Sequence, residues 1–218
     1  MSPPAALLPD DAAGRARAIE VLRDGGVVAI PTDTVYGIAV ALATPGGIER
    51  LFEVKRRPPE KGIALLLDSV EQATELGIVG PAAEALASAC WPGGLTLVLR
   101  QRTDVPFPPV LTGGQATIGL RVPAHDAPRS LARVVGPLPT TSANVSGEPE
   151  APDAATVLRQ LGDRIDLVLD GGPVMSRAAS TVVDVSIDRP RILRAGALDA
   201  ARIAEVLDVA GVAHDVGR

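Results

Sequence analysis

The chain holds two lysines, Lys55 and Lys61, and both fall in the single stretch KRRPPEK at residues 55–61, while the other 19 of its 21 Lys and Arg residues are arginine. An ammonium is a mobile point charge and a guanidinium a planar fork. Together, Lys55 and Arg57 can neutralise a triphosphate and the charge that grows on a departing pyrophosphate. The plainer use of such a pair is to complement the C-terminal dipole of a helix, although that needs neither three consecutive basic residues nor the two prolines that follow. A second group, Thr140 to Gly147, offers short hydroxyls, Asn144 and backbone amides of the kind that line an anion nest. These are also the ordinary residues of turns, and no Walker or G-x-G-x-x-G spacing decides between the two readings.

A third group, Pro31-Thr32-Asp33-Thr34-Val35-Tyr36-Gly37, places hydroxyls and a carboxylate where an apolar strand ends, which suits the polar end of a small substrate or simply the strand's last backbone groups. Arg121 closes another apolar strand and Arg194 precedes Ala195-Gly196; each alone reads as a solvated strand end with a packed stem. His125 reads as a surface or capping histidine, since no Ser-His-Asp order recruits it.

The elements that must position these residues follow from period and punctuation. Asp10 or Asp11 can cap a helix that runs to Arg23 and stops at Gly25-Gly26. Val27 to Ile30 is a buried strand. Ile48, Leu51, Phe52 and Lys55 recur at helical spacing, so the KRRPPEK loop opens where that helix ends and Pro58-Pro59 forbid its continuation. Strands are expected at 63–67, 95–99, 116–121, 165–169, 181–187 and 191–193. Helices are expected at 70–76, 82–90, 127–135, 153–161 and 199–209, and residues 140–147 are expected as a loop. Interleaved strands and helices imply one mixed or parallel sheet with helices packed on it.

Composition bounds the rest. A chain of 218 residues suits one core, and a hydrophobic fraction of 46% with only 2% aromatics makes that core aliphatic. A net charge of -5 argues against indiscriminate polyanion binding, so any cationic patch must be local. One cysteine and two histidines exclude a disulfide framework and an ordinary structural zinc site. No apolar run approaches the roughly 20 residues that span a bilayer, which gives a cytoplasmic expectation and no membrane partner. Residues 1–9 are expected as an N-terminal tail, 10–209 as the catalytic domain and 210–218 as a C-terminal tail.

Taken in order, PTDTVYGI, KRRP, WPGGLTLVL, TIGLRVPAH, TSANVSG, and STVVDV followed by ILRAG resemble signatures of the YrdC/TsaC family of L-threonylcarbamoyladenylate synthases, across about residues 14 to 205. The resemblance implies a twisted, YrdC-like α/β sheet flanked by helices around a deep positively charged cavity. It implies a nucleotidyltransferase that joins L-threonine, bicarbonate and ATP into L-threonylcarbamoyladenylate with release of pyrophosphate. The product would serve threonylcarbamoyladenosine modification of tRNA next to the anticodon, through a transferase complex that accepts the adenylate. Lys55 and Arg57 correspond to the family's catalytic Lys-x-Arg pair. Those two, with Thr117, Ser142, Asn144 and Arg194, are expected around ATP, and Thr32, Arg121, Thr140 and Ser180 around threonine. Mg²⁺ is expected with ATP rather than in a dedicated protein site, and weak RNA binding is a further expectation. Lys61 lies where the family varies and is expected at most to line the cleft. Gly62-Ile63, Ala195 and Glu148 depart from the usual pattern, and Glu148 adds negative charge beside the phosphate site. A carbamoyl-AMP-forming domain of hydrogenase-maturation carbamoyltransferases and an RNA-binding module without chemistry are the rival readings. The first lacks its partner modules here, and the second lacks aromatics for stacking.

Overall fold

The structure, a computed structural model, describes residues 4–56, 58, 60–174, 176 and 178–217. In chain order its elements are β1 (Ala6–Pro9), α1 (Ala12–Arg23), β2 (Val28–Ile30), β3 (Gly37–Ala39), α2 (Gly47–Lys55), β4 (Ala64–Leu66), α3 (Val70–Leu76), β5 (Gly77–Ile78), α4 (Pro81–Cys90), β6 (Leu95–Gln101), α5 (Pro109–Thr112), β7 (Thr117–Arg121), α6 (Asp126–Val135), β8 (Leu138–Ser142), α7 (Ala154–Leu161), β9 (Leu167–Asp170), β10 (Thr181–Asp184), β11 (Arg191–Arg194) and α8 (Ala200–Val209).

All strands join one mixed sheet in the order β1-β9-β2-β3-β8-β4-β7-β6-β10-β11, with β5 beside the far end of β6. Alternation along β2 shows how the sheet is covered. Val27 and Ala29 enter one aliphatic cluster with residues of α2, α4, α7 and α8, while Val28 and Ile30 enter the other with α1 and α6. On that second face α1 and α6 lie over β9, β2, β8 and β4. Across β7, β6 and β10 the same face carries Thr117, Gly119, Arg121, Thr96, Val98 and Val182 in place of a helix, and these residues floor the cavity described below.

Local chemistry fixes the helix ends as the sequence suggests. The Asp11 carboxylate accepts from the Gly14 N–H at 2.8 Å, Gly25 stops α1 at φ +84°, and Asp153 caps α7 through the Thr156 N–H. His125 caps α6, its Nδ1 accepting from the Ala127 N–H at 3.2 Å, which is the structural role expected for it.

Three expectations are corrected. Residues 6–9 are not tail but an edge strand parallel to β9, with Pro9 at its last position where no ladder donor is needed. The C-terminal segment is not loose either: Val216 is buried and the Asp215 N–H donates to Pro190 O. Residues 140–142 are strand instead of loop. Thr140 pairs with Ala39 on one side and Ala64 on the other, because β-branched threonine suits a central strand whatever its polarity. β3 and β5 were too short and too poor in alternation to read.

Candidate active site

A cavity of about 370 Å³ opens over the uncovered half of the sheet, a size ordinary for small-molecule sites. Of the residues singled out from sequence, Thr32, Thr117, Arg121, Thr140, Ser142, Ser180 and Arg194 line it. Lys55 and Asn144 stand directly behind Ser142, and Arg57 lies outside the described residues. Asp33 and His125 are not on its wall; Gly62 is, whereas Lys61 is exposed beside it.

The inner end is organised around Arg121, which is 5% exposed at the end of β7. Its Nε donates to Gly93 O at 2.9 Å, Nη1 to Thr34 Oγ1 at 2.9 Å and Nη2 to Asp33 Oδ1 at 2.6 Å. Three of the five guanidinium hydrogens are thereby committed, and one on each terminal nitrogen remains for a ligand. Burial draws the Arg121 pKa down and the Asp33 carboxylate opposes it, so the buried charge survives because it is paired. Thr32 Oγ1 donates to Val35 O at 2.6 Å and accepts from the Thr34 N–H, and Thr140 Oγ1 donates to Leu138 O. Both hydroxyl hydrogens serve the loop and strand that carry them, which leaves these oxygens able only to accept from a ligand.

On the opposite wall Arg194 donates from Nε and Nη2 to Ser180 O and from Nη2 to Ser180 Oγ. Arg194 is exposed as a residue, yet its head is turned inward and burial pulls its pKa below the ordinary value. Gly196 makes this packing feasible, since a Cβ there would stand 2.3 Å from Ala179 O.

The outer end joins two sequence motifs. The Lys55 ammonium, on a residue only 3% exposed, donates to Ser142 O, to Ser142 Oγ at 2.8 Å and to Asn144 Oδ1 at 2.6 Å. Ser142 Oγ in turn donates to Asn144 Oδ1, and the Asn144 amide is held by Val145 O and Glu148 O. Lys55 is therefore no simple helix-dipole complement. Immediately after it Arg56 takes φ +52°, the one positive φ among described non-glycine residues, so the chain turns sharply into the KRRPPEK loop under some strain.

Two contributions escaped the sequence reading. Thr96, 4% exposed, lines the inner end and shares a 2.8 Å hydrogen bond with Ser180 Oγ. Its signal is the one polar residue in Leu95-Thr96-Leu97-Val98-Leu99. Tyr36 is fully buried: its hydroxyl donates to Gly172 O and accepts from the Gly171 N–H, tying the Thr32–Thr34 loop to the start of the 171–180 segment that leads to Ser180. Among the described residues no group of three His, Cys, Asp or Glu gathers in metal-ligand geometry, and no helix is long and apolar enough to cross a membrane.

Comparison with known proteins places this geometry. Residues 20–196 match the family model Sua5/YciO/YrdC, described as telomere recombination. A Mycobacterium leprae protein is 39% identical over 203 residues, 92% of this chain and 91% of its own. The threonylcarbamoyl-AMP synthase of Thiobacillus denitrificans is 36% identical over 176 residues, 80% and 91% of the two chains. Among solved structures, Pyrococcus abyssi Sua5 complexed with L-threonine superposes with a TM-score of 0.87 at 33% identity, covering 96% of this chain and 61% of that longer one.

Proposed function

The chain belongs to the Sua5/YciO/YrdC family, and from that premise we propose that it is a threonylcarbamoyl-AMP synthase, making L-threonylcarbamoyladenylate and pyrophosphate from L-threonine, bicarbonate and ATP for tRNA modification. The observation that carries the reading is one cavity with two unlike ends: a buried, carboxylate-paired arginine with two free N–H groups, and a lysine–serine–asparagine cluster. The first suits an amino-acid carboxylate and the second a polyphosphate. The names of the full-length relatives and the threonine complex of the Pyrococcus protein support the same assignment.

In this reaction the threonine amine, having lost a proton, adds to the carbon of bicarbonate-derived carbon dioxide. The resulting N-carboxylate oxygen attacks the α-phosphorus, and the bond to the pyrophosphate oxygen breaks. A carboxylate is already a competent nucleophile, so the protein's work is positioning and charge stabilisation. Arg121 with Thr32, Thr140 and Ser180 holds threonine. Thr117, Ser142, Asn144 and Arg194 hold the nucleotide, and Lys55 with Arg57 neutralises the phosphates in an electropositive cavity. Among the described residues the cavity wall offers hydroxyls and no carboxylate, which fits Mg²⁺ carried on the triphosphate and its waters. When bound, it would neutralise phosphate charge. The adenylate passes to a tRNA-modifying transferase complex in the cytoplasm, and any direct contact with RNA is weak.

The test is pyrophosphate release by purified protein with ATP and Mg²⁺, omitting L-threonine or bicarbonate in turn. Release that requires both establishes the reaction. No release from folded protein under any condition would overturn it and bring an RNA-binding role forward.

A further inference from the structure

The inner end of the cavity contains one buried hydroxyl, that of Thr96, that the reading above does not use. Thr96 and Ser180 are each more than nine-tenths buried, both line the cavity, and their hydroxyl oxygens lie 2.8 Å apart. Two hydroxyls carry two hydrogens, and their mutual bond takes one. Ser180 Oγ receives its other bond from Arg194 Nη2, a donor that cannot absorb the second hydrogen. Thr96 Oγ1 has no partner besides Ser180 among the described residues. Whichever hydroxyl donates to the other, one hydrogen is left over at a buried point facing the cavity. The Arg194 charge at the head of the chain polarises the pair and makes that last hydrogen a better donor.

Strand register fixes what it meets. Leu97 pairs with Leu120 across β6 and β7, so Thr96 stands opposite Arg121 on the same face. Of the other hydroxyls at this end, Thr32 and Thr140 have committed their hydrogens to backbone carbonyls, and Thr34, which accepts from Arg121 Nη1, has Thr32 Oγ1 at 3.1 Å to take its own. We propose that Thr96 is a further substrate-contacting residue: with Ser180 it forms a single donor unit that delivers one hydroxyl hydrogen to the amino-acid carboxylate held by Arg121. This inference rests on the amino-acid reading of the inner end given above.

The pair predicts a particular pattern of kinetics. In Thr96→Val, Ser180 keeps a hydrogen that can turn to the ligand; in Ser180→Ala, Thr96 keeps one. Each single change raises KM for L-threonine only about two- to fivefold. The double variant has no hydroxyl hydrogen left, and its KM rises roughly thirty- to hundredfold, beyond the product of the single effects. KM for ATP stays within about twofold of the parent throughout, and Thr96→Ser behaves as the parent protein. The experiment measures pyrophosphate release against L-threonine and against ATP for all variants, with L-threonine titrated calorimetrically and melting midpoints as the folding control. If Thr96→Val does not fold, Thr96→Ala takes its place in the cycle. Single effects that simply multiply, or an equal rise in KM for ATP, overturn the proposal while the parent protein still binds and turns over threonine. A parent protein that neither binds nor turns over threonine removes the amino-acid reading, and this inference with it.

Discussion

The two ends of the cavity are built by different means. Around Arg121 the polar groups project from strands and strand ends in the sheet's centre, and each is braced by a second group that does not itself need to reach the ligand: Asp33 and Gly93 behind Arg121, and Val35 O behind Thr32. Around Lys55 the groups come from a helix terminus, the last residue of β8 and the loop that follows it, and they brace one another directly. The inner end is thus a rigid socket set by β-register, and the outer end is a self-paired cluster that an incoming phosphate can re-partner. Recognition of the small substrate is prepaid in the fold, whereas charge neutralisation is assembled from local side chains.

Four variants break or sharpen that contrast. The largest effect is expected at the outer end, where Lys55→Ala should lower kcat for pyrophosphate release roughly a hundred- to thousandfold with the circular-dichroism spectrum preserved. At the inner end Asp33→Asn should raise KM for L-threonine roughly tenfold or more and leave KM for ATP nearly unchanged. Steady-state kinetics with each substrate varied separates the two, and an equal change in both constants would erase the distinction between the ends. Gly37→Ala puts a Cβ 2.8 Å from Thr140 Cγ2. It should cost about 1–3 kcal/mol in a denaturant melt and disturb threonine affinity before ATP affinity.

The last expected effect is a pH dependence, silent near neutral pH. Burial pushes the Tyr36 pKa up to about 12. A phenol whose pKa is higher folded than unfolded contributes stability that is fully present below about pH 10 and lost as pH climbs towards 12, amounting to about 2–3 kcal/mol over that window. Tyr36→Phe should lose a constant amount of stability at neutral pH, through its missing hydrogen bonds. It should then decline less steeply than the parent above pH 10 in parallel melts.

Much of this site could be read from period and punctuation. In TIGLR the alternation that sends Ile118 and Leu120 into the core sends Thr117, Gly119 and Arg121 to the cavity, and the same rule applied to LTLVL would have exposed Thr96. Lys55 was conspicuous by residue type alone. What could not be read was pairing across the chain. Nothing local says that the Lys55 ammonium reaches Ser142, 87 residues on, or that Asp33 and Thr34 fix Arg121. Strand β8 was hidden because its threonines carry turn-like polarity, and only its two antiparallel neighbours reveal it. The N-terminal strand was hidden because four residues ending in proline have no pattern to show.

That short strand also bears on how the chain comes to be folded. Residues 6–9 hydrogen-bond to residues 167–170, β2 lies between β9 and β3, and β8 wedges between β3 and β4. During synthesis β1 emerges with its partner still unmade, and that edge of the sheet cannot form until about residue 170 has left the ribosome. Loop-closure entropy must be met before most pairings reward it, so folding is slow for a chain of this length, with bare strand edges that need shielding from their neighbours until the last third of the protein arrives.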